Sequence, residues 1–345
     1  MLDRSAELAA ATEAVRAASR ICRDVQRRLV DSEKLEKSDR SPVTVADFAS
    51  QAIVCAGLSE RCPGDPVVGE EDSAALREDA QAELLAAVVE RVGEELGERV
   101  DPEQVLSWID LGSADAVGNR YWTLDPIDGT KGFLRGEQYA VALGLIEDGQ
   151  VVLGVLGCPN LPLGGDRGAL FTAVRGGKTH VRSLWDEGAS EVPVSVGDIQ
   201  RARDARFCES VESGHSDQGE SARVAALLGI RTEPFRIDSQ CKYAAVARND
   251  ASIYLRLPTR ADYREKIWDH AAGSILVEAA GGVVTDVEGR ALDFTRGETL
   301  AANRGIVATS GAIHREVVEA VRKVREGSGP APPPTGASGS RAAGA

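Results

Sequence analysis

Residues Tyr139 to Gly157, YAVALGLIEDGQVVLGVLG, constrain the fold more than any other stretch of the chain. Two almost unbroken apolar runs flank Asp148-Gly149, a dipeptide suited to the left-handed backbone of a two-residue turn, so the stretch predicts an antiparallel β-hairpin. LFTAVRGGKTHV predicts another, closed at Gly176-Gly177. Upstream, Leu8, Val15, Ala18, Cys22, Val25 and Leu29 recur at helical spacing across residues 2–30. Leu84, Leu85, Val88, Val89 and Val92 mark a second amphipathic helix, and Asp101-Pro102, a cap followed by a first-turn proline, begins a third. Beyond about residue 190 the segments ARFCES, SARVAALLG, FRIDS, KYAAVAR and ASIYLRL alternate strand with helix. The expectation is an α+β half built on an antiparallel sheet, residues 1–191, then a smaller α/β half, residues 192–326, with the boundary near Val192. Residues 327–345, GSGPAPPPTGASGSRAAGA, lack apolar periodicity and predict a disordered tail. No internal repeat is visible.

Charge narrows the function. The formal net charge of −14 argues against general binding to nucleic acid or to an anionic membrane, and it is compatible with a site that gathers divalent cations. An anionic substrate would need local Lys or Arg to overcome that field. The six cysteines are scattered without a C-x-x-C pair, which fits reduced structural thiols rather than a disulfide framework or a zinc site. No apolar run approaches the ~18–20 residues that span a bilayer, and the N-terminus carries charges where a signal peptide needs an apolar core. A cytoplasmic protein is expected, with no protein partner inferable.

Four segments each offer carboxylates at or near the end of an element. In YWTLDPIDGTKGF an apolar run ends at Asp125, and Pro126 is expected to turn the chain so that Asp128, three residues on, converges with Asp125. The Ile127 carbonyl then lies between them, and three hard oxygens facing one point suit Mg²⁺. Gly129 and Thr130 open a new segment whose backbone N–H groups could hold a phosphate. VVGEED puts Glu70 and Glu71 after a short apolar run, SPVTVADFAS puts Asp47 in an apolar-patterned stretch, and IWDHAAGSILVEAAGG puts Asp269 at a helix start. Taken singly, these read as a surface turn, a solvated acidic loop, a hydrogen-bonded Asp and an N-cap. Together they supply what a site with several Mg²⁺ ions requires. The D-x-x-D-G-T spacing is one residue longer than the D-x-D-G-T pattern of phosphatases whose first Asp attacks phosphorus.

In that order and separation G-E-E, D-P-I-D-G-T and W-D-H-A-A-G resemble the metal-dependent, lithium-sensitive phosphatases. That superfamily holds inositol monophosphatase, fructose-1,6-bisphosphatase and the 3′(2′),5′-bisphosphate nucleotidases. The likeness is greatest to the last group. LDPIDGTKGFLRGEQYAVALGLIEDGQVVLGVLGCPNLP matches its central block, and SPVTVAD, ESVESGHS, RIDSQCKYAAVA, IYLRLP and YREKIWDHAAG match its other blocks. The resemblance spans roughly residues 5–325, except for part of the helical insertion at about 74–118. It implies a layered α-β-α-β-α sandwich and two to three Mg²⁺ ions held by Glu70, Asp125, the Ile127 carbonyl, Asp128 and Asp269. Asp47 and Thr130 would orient and deprotonate the attacking water. Ser239, Lys242 and Arg256 would hold the 5′-phosphate of a bisphosphorylated nucleotide, with His215 near the nucleoside and Gly129, Thr130 and Asp269 also at the substrate. The implied reaction is hydrolysis of the 3′-phosphate of adenosine 3′,5′-bisphosphate to AMP, with the 2′,5′ isomer and the sulfated nucleotide as further substrates. The rivals are an inositol-phosphate phosphatase on the same metal site and a nucleotide sensor that has lost catalysis. His180, His270 and His314 show no ligand arrangement in the sequence.

Overall fold

The hairpin expected at Tyr139–Gly157 is the centre of a seven-stranded sheet. In the computed structural model, which describes residues 3–31, 41–115, 118–211, 218–258, 260 and 262–327, β1 (Val67–Gly69), β2 (Arg120–Asp128), β3 (Ala140–Glu147), β4 (Gln150–Leu163), β5 (Asp166–Val174), β6 (Thr179–Ser183) and β7 (Val192–Val194) lie side by side in chain order. All neighbours are antiparallel except β1, which runs parallel to β2. The expected all-antiparallel sheet therefore carries one parallel strand at its edge. Asp148 and Gly149 have φ of 48° and 72°, as a two-residue hairpin loop demands. The last strand, β7, lies just past the division expected near Val192.

A second sheet of five strands has the order β11-β12-β10-β8-β9. Its members are β8 (Phe207–Glu209), β9 (Phe235–Arg236), β10 (Ile253–Arg256), β11 (Gly282–Thr285) and β12 (Ile306–Ser310). Helices fill the layers. α1 (Ser5–Asp31) and α2 (Ser41–Arg61) cover one face of the first sheet, with α3 (Ala82–Leu96) and α4 (Pro102–Asp110) packed on α2. Asp101 caps α4 through its side chain, with Pro102 in the first turn. The short α5 (Thr130–Leu134) follows β2. Between the two sheets lie α7 (Cys241–Ala247) and α8 (Ala271–Ala279), and outside the second sheet lie α6 (Gln218–Leu228) and α9 (His314–Gly327). The order of layers is α-β-α-β-α.

Three apolar cores separate these layers, and β3 shows why its sequence is nearly continuous in apolar residues. Val141, Leu143 and Leu145 enter the core under α1 and α2, whereas Ala140, Ala142 and Ile146 enter the core shared with α7 and α8. A strand buried on both faces has no polar side to alternate with. Gly144 and Gly154 pair across β3 and β4, and α8 seats against them. A Cβ on Gly144 would stand 3.1 Å from Ala271 Cβ, and one on Gly154 would stand 2.5 Å from Ile275 Cγ2. The glycine pair thus lets α8 approach the first sheet closely, which brings the residues just ahead of α8 to the ends of β1 and β2. Five of the six thiols are buried, and all six are unpaired. Among the described residues no helix is long and apolar enough to cross a membrane. Except for Gly327, which ends α9, the expected tail lies outside the described residues.

Candidate active site

The odd spacing of Asp125 and Asp128 is resolved by a β-bulge, not by the turn that Pro126 led us to expect. β2 continues through Asp128, and its register against β3 shifts: Asp125 pairs with Ala142 and Asp128 with Ala140. Three steps on β2 thus oppose two on β3, which returns both aspartates to one side. Pro126, which has no N–H to give, falls where the ladder is already interrupted, beyond the last pairing of β2 with β1 at Leu124. Ser50 of α2 donates its hydroxyl to the Pro126 carbonyl at 3.1 Å and ties the bulge to the helix layer. Gly129 then turns the chain at φ 93°, where a Cβ would also come 2.8 Å from Ser239 Cβ.

Glu70, one residue beyond β1, and Asp269, two residues ahead of α8, join Asp125, Ile127, Asp128, Gly129, Thr130, Ser239, Lys242 and Arg256 around one cavity of about 430 Å³. Asp269 is not the cap that its segment alone suggests: His270 occupies the N-cap position of α8, its side chain makes no capping bond, and Asp269 pairs with Arg256.

The carboxylates repel one another. Burial, followed by the charges of Asp269, Glu71 and Asp128, pushes Glu70 up to about 8. Burial and then Asp269 push Asp128 up to about 6, against the pull of Lys242 and Arg256. Asp125, 2 % exposed, is raised well above the usual carboxylate range by burial and then by Glu70, Asp128 and Asp269. Its Oδ1 is buried without a hydrogen-bond partner. A buried acceptor that lacks a donor, inside a set of mutually repelling hard oxygens, fits a divalent cation. The residues able to hold one are Glu70, Asp125, Asp128 and Asp269, with the Ile127 carbonyl.

Cations and fixed donors line the other wall. Lys242, on α7, is 6 % exposed rather than on a helix surface, and burial lowers its pKa while Asp128 opposes the fall. Its Nζ lies 5.4 Å from the centroid of the Tyr254 ring. Ser239 holds a left-handed φ of 66° and accepts from the Cys241 N–H at 3.1 Å through Oγ. Arg256, the last residue of β10, is a partly buried ion-pair partner. Its Nε lies 2.6 Å from Glu265 Oε2 and its Nη2 lies 3.0 Å from Asp269 Oδ2. The Nη2 also donates to the Tyr263 hydroxyl at 3.1 Å.

Asp47 does not line the cavity. It sits on α2, which packs on the α5 segment that Thr130 begins, and burial with the charges of Glu71 and Glu70 raises its carboxyl well above the ordinary range. His215 lies outside the described residues.

Sequence reasoning missed Gln240, Glu265, Tyr263 and the part played by His270. Gln240 donates its backbone N–H to Asp128 Oδ2. Its side chain donates to the Trp268 carbonyl at 2.9 Å and accepts from the Gly273 N–H at 3.0 Å. His270, fully buried, bonds Tyr243 through Nδ1 and Glu265 through Nε2. The available signal was position: Gln240 stands between Ser239 and Lys242, and Glu265 four residues before Asp269.

The chain is similar to known proteins along most of its length. A nucleotidase of Schizosaccharomyces pombe, curated as a 3′(2′),5′-bisphosphate nucleotidase, is 47 % identical over 337 residues, covering 92 % of this chain and 96 % of its own. A protein of the same description from Oryza sativa is 45 % identical over 339 residues, covering 92 % and 94 %. Among solved structures, an inositol monophosphatase from Zymomonas mobilis superposes with a TM-score of 0.62 at 19 % identity, over 93 % of this chain and 100 % of that one. An inositol monophosphatase from Anabaena gives 0.59 at 21 %, over 92 % and 95 %. The family description itself matches residues 3–326, and the chain belongs to the inositol monophosphatase family.

Proposed function

We propose that the protein is a Mg²⁺-dependent phosphomonoesterase that removes the 3′-phosphate of adenosine 3′,5′-bisphosphate to give AMP and phosphate. The 2′,5′ isomer and 3′-phosphoadenylyl sulfate would be further substrates. The observation that carries the reading is a single cavity that joins four clustered carboxylates to two cations, the buried Lys242 and the partly buried Arg256. At about 430 Å³ it has the size of a small-molecule site. A substrate with two phosphates uses both sets: one phosphate at the carboxylate-bound metal, the other at the cations.

Two to three Mg²⁺ ions would be held by Glu70, Asp125, Asp128 and Asp269 and by the Ile127 carbonyl. When bound, they supply Lewis acidity toward the phosphoryl oxygens. The chain does the rest. Thr130, on the cavity wall, would orient the attacking water and relay its proton to Asp47, which sits behind it on α2. Ser239, Lys242 and Arg256 grip the phosphate that does not react, since a second, distant phosphate needs fixed cationic donors. In this reading residues 1–191 supply most of the metal ligands, and residues 192–326 supply Asp269 and the phosphate grip. No aspartyl-phosphate forms.

The test is phosphate release from adenosine 3′,5′-bisphosphate, its 2′,5′ isomer, the sulfated nucleotide and inositol 1-phosphate, with Mg²⁺ and with or without Li⁺. The bisphosphates are expected to turn over fastest and Li⁺ to inhibit. Faster hydrolysis of inositol 1-phosphate would overturn the substrate assignment, and nucleotide binding without phosphate release would overturn the enzyme.

A further inference from the structure

Glu265 lines no part of the cavity, yet it holds the cation that does. Its Oε2 lies 2.6 Å from Arg256 Nε and 3.1 Å from His270 Nε2. On the far side of the imidazole, Nδ1 is 2.8 Å from the Tyr243 hydroxyl. Glu265 is 4 % exposed and the His270 and Tyr243 side chains are fully buried. With a neutral imidazole the bonds run in one direction: the tyrosine hydroxyl donates to Nδ1, Nε2–H donates to the carboxylate, and the carboxylate faces the guanidinium. Tyr243 belongs to α7 and His270 precedes α8, so both helices of the central layer brace one oxygen of Glu265. The other contacts of Arg256, to Asp269 and Tyr263, lie on the cavity wall.

Glu265, Asp269 and His270 stand close enough to suggest a metal site of their own. The Arg256 guanidinium already sits against two of the three, as the cation of that cluster. What the cluster does is aim an arginine. An unrestrained arginine must lose rotamer freedom when it grips a phosphate, whereas one already pinned gives up less, so its contacts go further toward binding.

We propose that Glu265 is a positioning residue for the phosphate that does not react: backed by His270 and Tyr243, it presets Arg256 before substrate arrives. The proposal rests on the reading that Arg256 grips that phosphate, and the two can fail separately.

The experiment is steady-state kinetics with Mg²⁺ on adenosine 3′,5′-bisphosphate and on adenosine 3′-monophosphate, which lacks the second phosphate. The proteins are the parent, Arg256→Ala, Glu265→Gln and the double variant, with folding checked by circular dichroism. Arg256→Ala is expected to raise KM for the bisphosphate at least about 10-fold, the size of a lost charge-assisted contact. Glu265→Gln should raise it about 3- to 10-fold with kcat held within about 3-fold, and should leave kcat/KM for the monophosphate unchanged. In the Arg256→Ala background Glu265→Gln should add nothing, because its effect passes through the arginine. An unchanged bisphosphate KM in Arg256→Ala overturns the assignment of Arg256. A raised KM there with none in Glu265→Gln overturns the role of Glu265 alone, as does an equal loss on both substrates or an additive double variant. If Glu265→Gln does not fold, Tyr243→Phe, which deletes only the hydroxyl at the back of the chain, carries the test. A rise of about 2- to 5-fold in bisphosphate KM alone supports the proposal, and no rise overturns it.

Discussion

The backbone N–H of Gln240 donates to Asp128 Oδ2, so the turn ahead of α7 fixes a carboxylate carried by β2. The Gln240 side chain in turn spans the segment before α8, giving its amide hydrogen to Trp268 and taking that of Gly273. One residue therefore sets the distance between β2 and the Asp269 segment. Gln240→Ala would strand a buried carbonyl and a buried N–H, at a cost of about 2–4 kcal/mol for the pair. Denaturant unfolding should show that loss. The apparent Mg²⁺ affinity should weaken as well, because Asp128 and Asp269 would no longer be held in register. A variant with parental stability would show that Gln240 braces nothing.

Asp125 lies in the middle of the carboxylate set, with one oxygen lacking any donor. Asp125→Asn should lower activity by at least about 100-fold, since even the partners of metal ligands commonly cost 10–100-fold when removed. The same change takes away a buried charge that burial and Glu70 oppose. In a chelator the variant should therefore melt higher than the parent, and in Mg²⁺ the order should narrow or reverse. Calorimetry in both buffers reads this directly, and a lower melting temperature in chelator would refute the repulsion.

How much of this was legible depends on whether a residue works through its own segment or through a neighbour. Asp148-Gly149 declared its hairpin because the turn needs only two left-handed residues, and both are local. Glu70, Asp125, Asp128 and Asp269 were visible as carboxylates near element ends, and the cavity gathers them. The bulge at Pro126 was not, because register belongs equally to β3: only the pairing of Asp125 with Ala142 and Asp128 with Ala140 reveals the extra residue. Reading Pro126 as a turn applied a sound local rule at a place where the ladder had already opened. Gln240, Glu265 and His270 stayed silent for a similar reason. Their partners stand 5 to 112 residues away, and no periodicity encodes such an apposition.

Lys242 faces the charge of Asp128 from a buried position on α7, beside the Tyr254 ring. If it grips the phosphate that does not react, Lys242→Ala should raise KM for adenosine 3′,5′-bisphosphate by about 10- to 100-fold, the range of a lost charge-assisted hydrogen bond. The kcat should stay within a few-fold, because that contact is the same in ground and transition states. Adenosine 3′-monophosphate should be processed as by the parent. A fall in kcat on both substrates would instead place Lys242 at the reacting phosphate.

The raised carboxylates also fix the sign of the protein's pH response. Folded, Glu70 titrates near about 8 and Asp128 near about 6; unfolded, they titrate near about 4.3 and 3.9. Between those limits the folded protein holds more protons than the unfolded chain, so its stability falls as pH rises. The contribution is intact below about pH 4 and is lost progressively toward pH 8. In chelator the melting temperature should therefore drop by several degrees between pH 5 and pH 8, and Glu70→Gln should flatten the part above pH 6. With Mg²⁺ in excess the drop should vanish, because a bound cation favours the ionised carboxylates and its binding releases their protons. A chelated protein whose melting temperature held level or rose across that interval would show that these groups ionise as ordinary carboxylates, and the electrostatic case for a metal centre would fall with it.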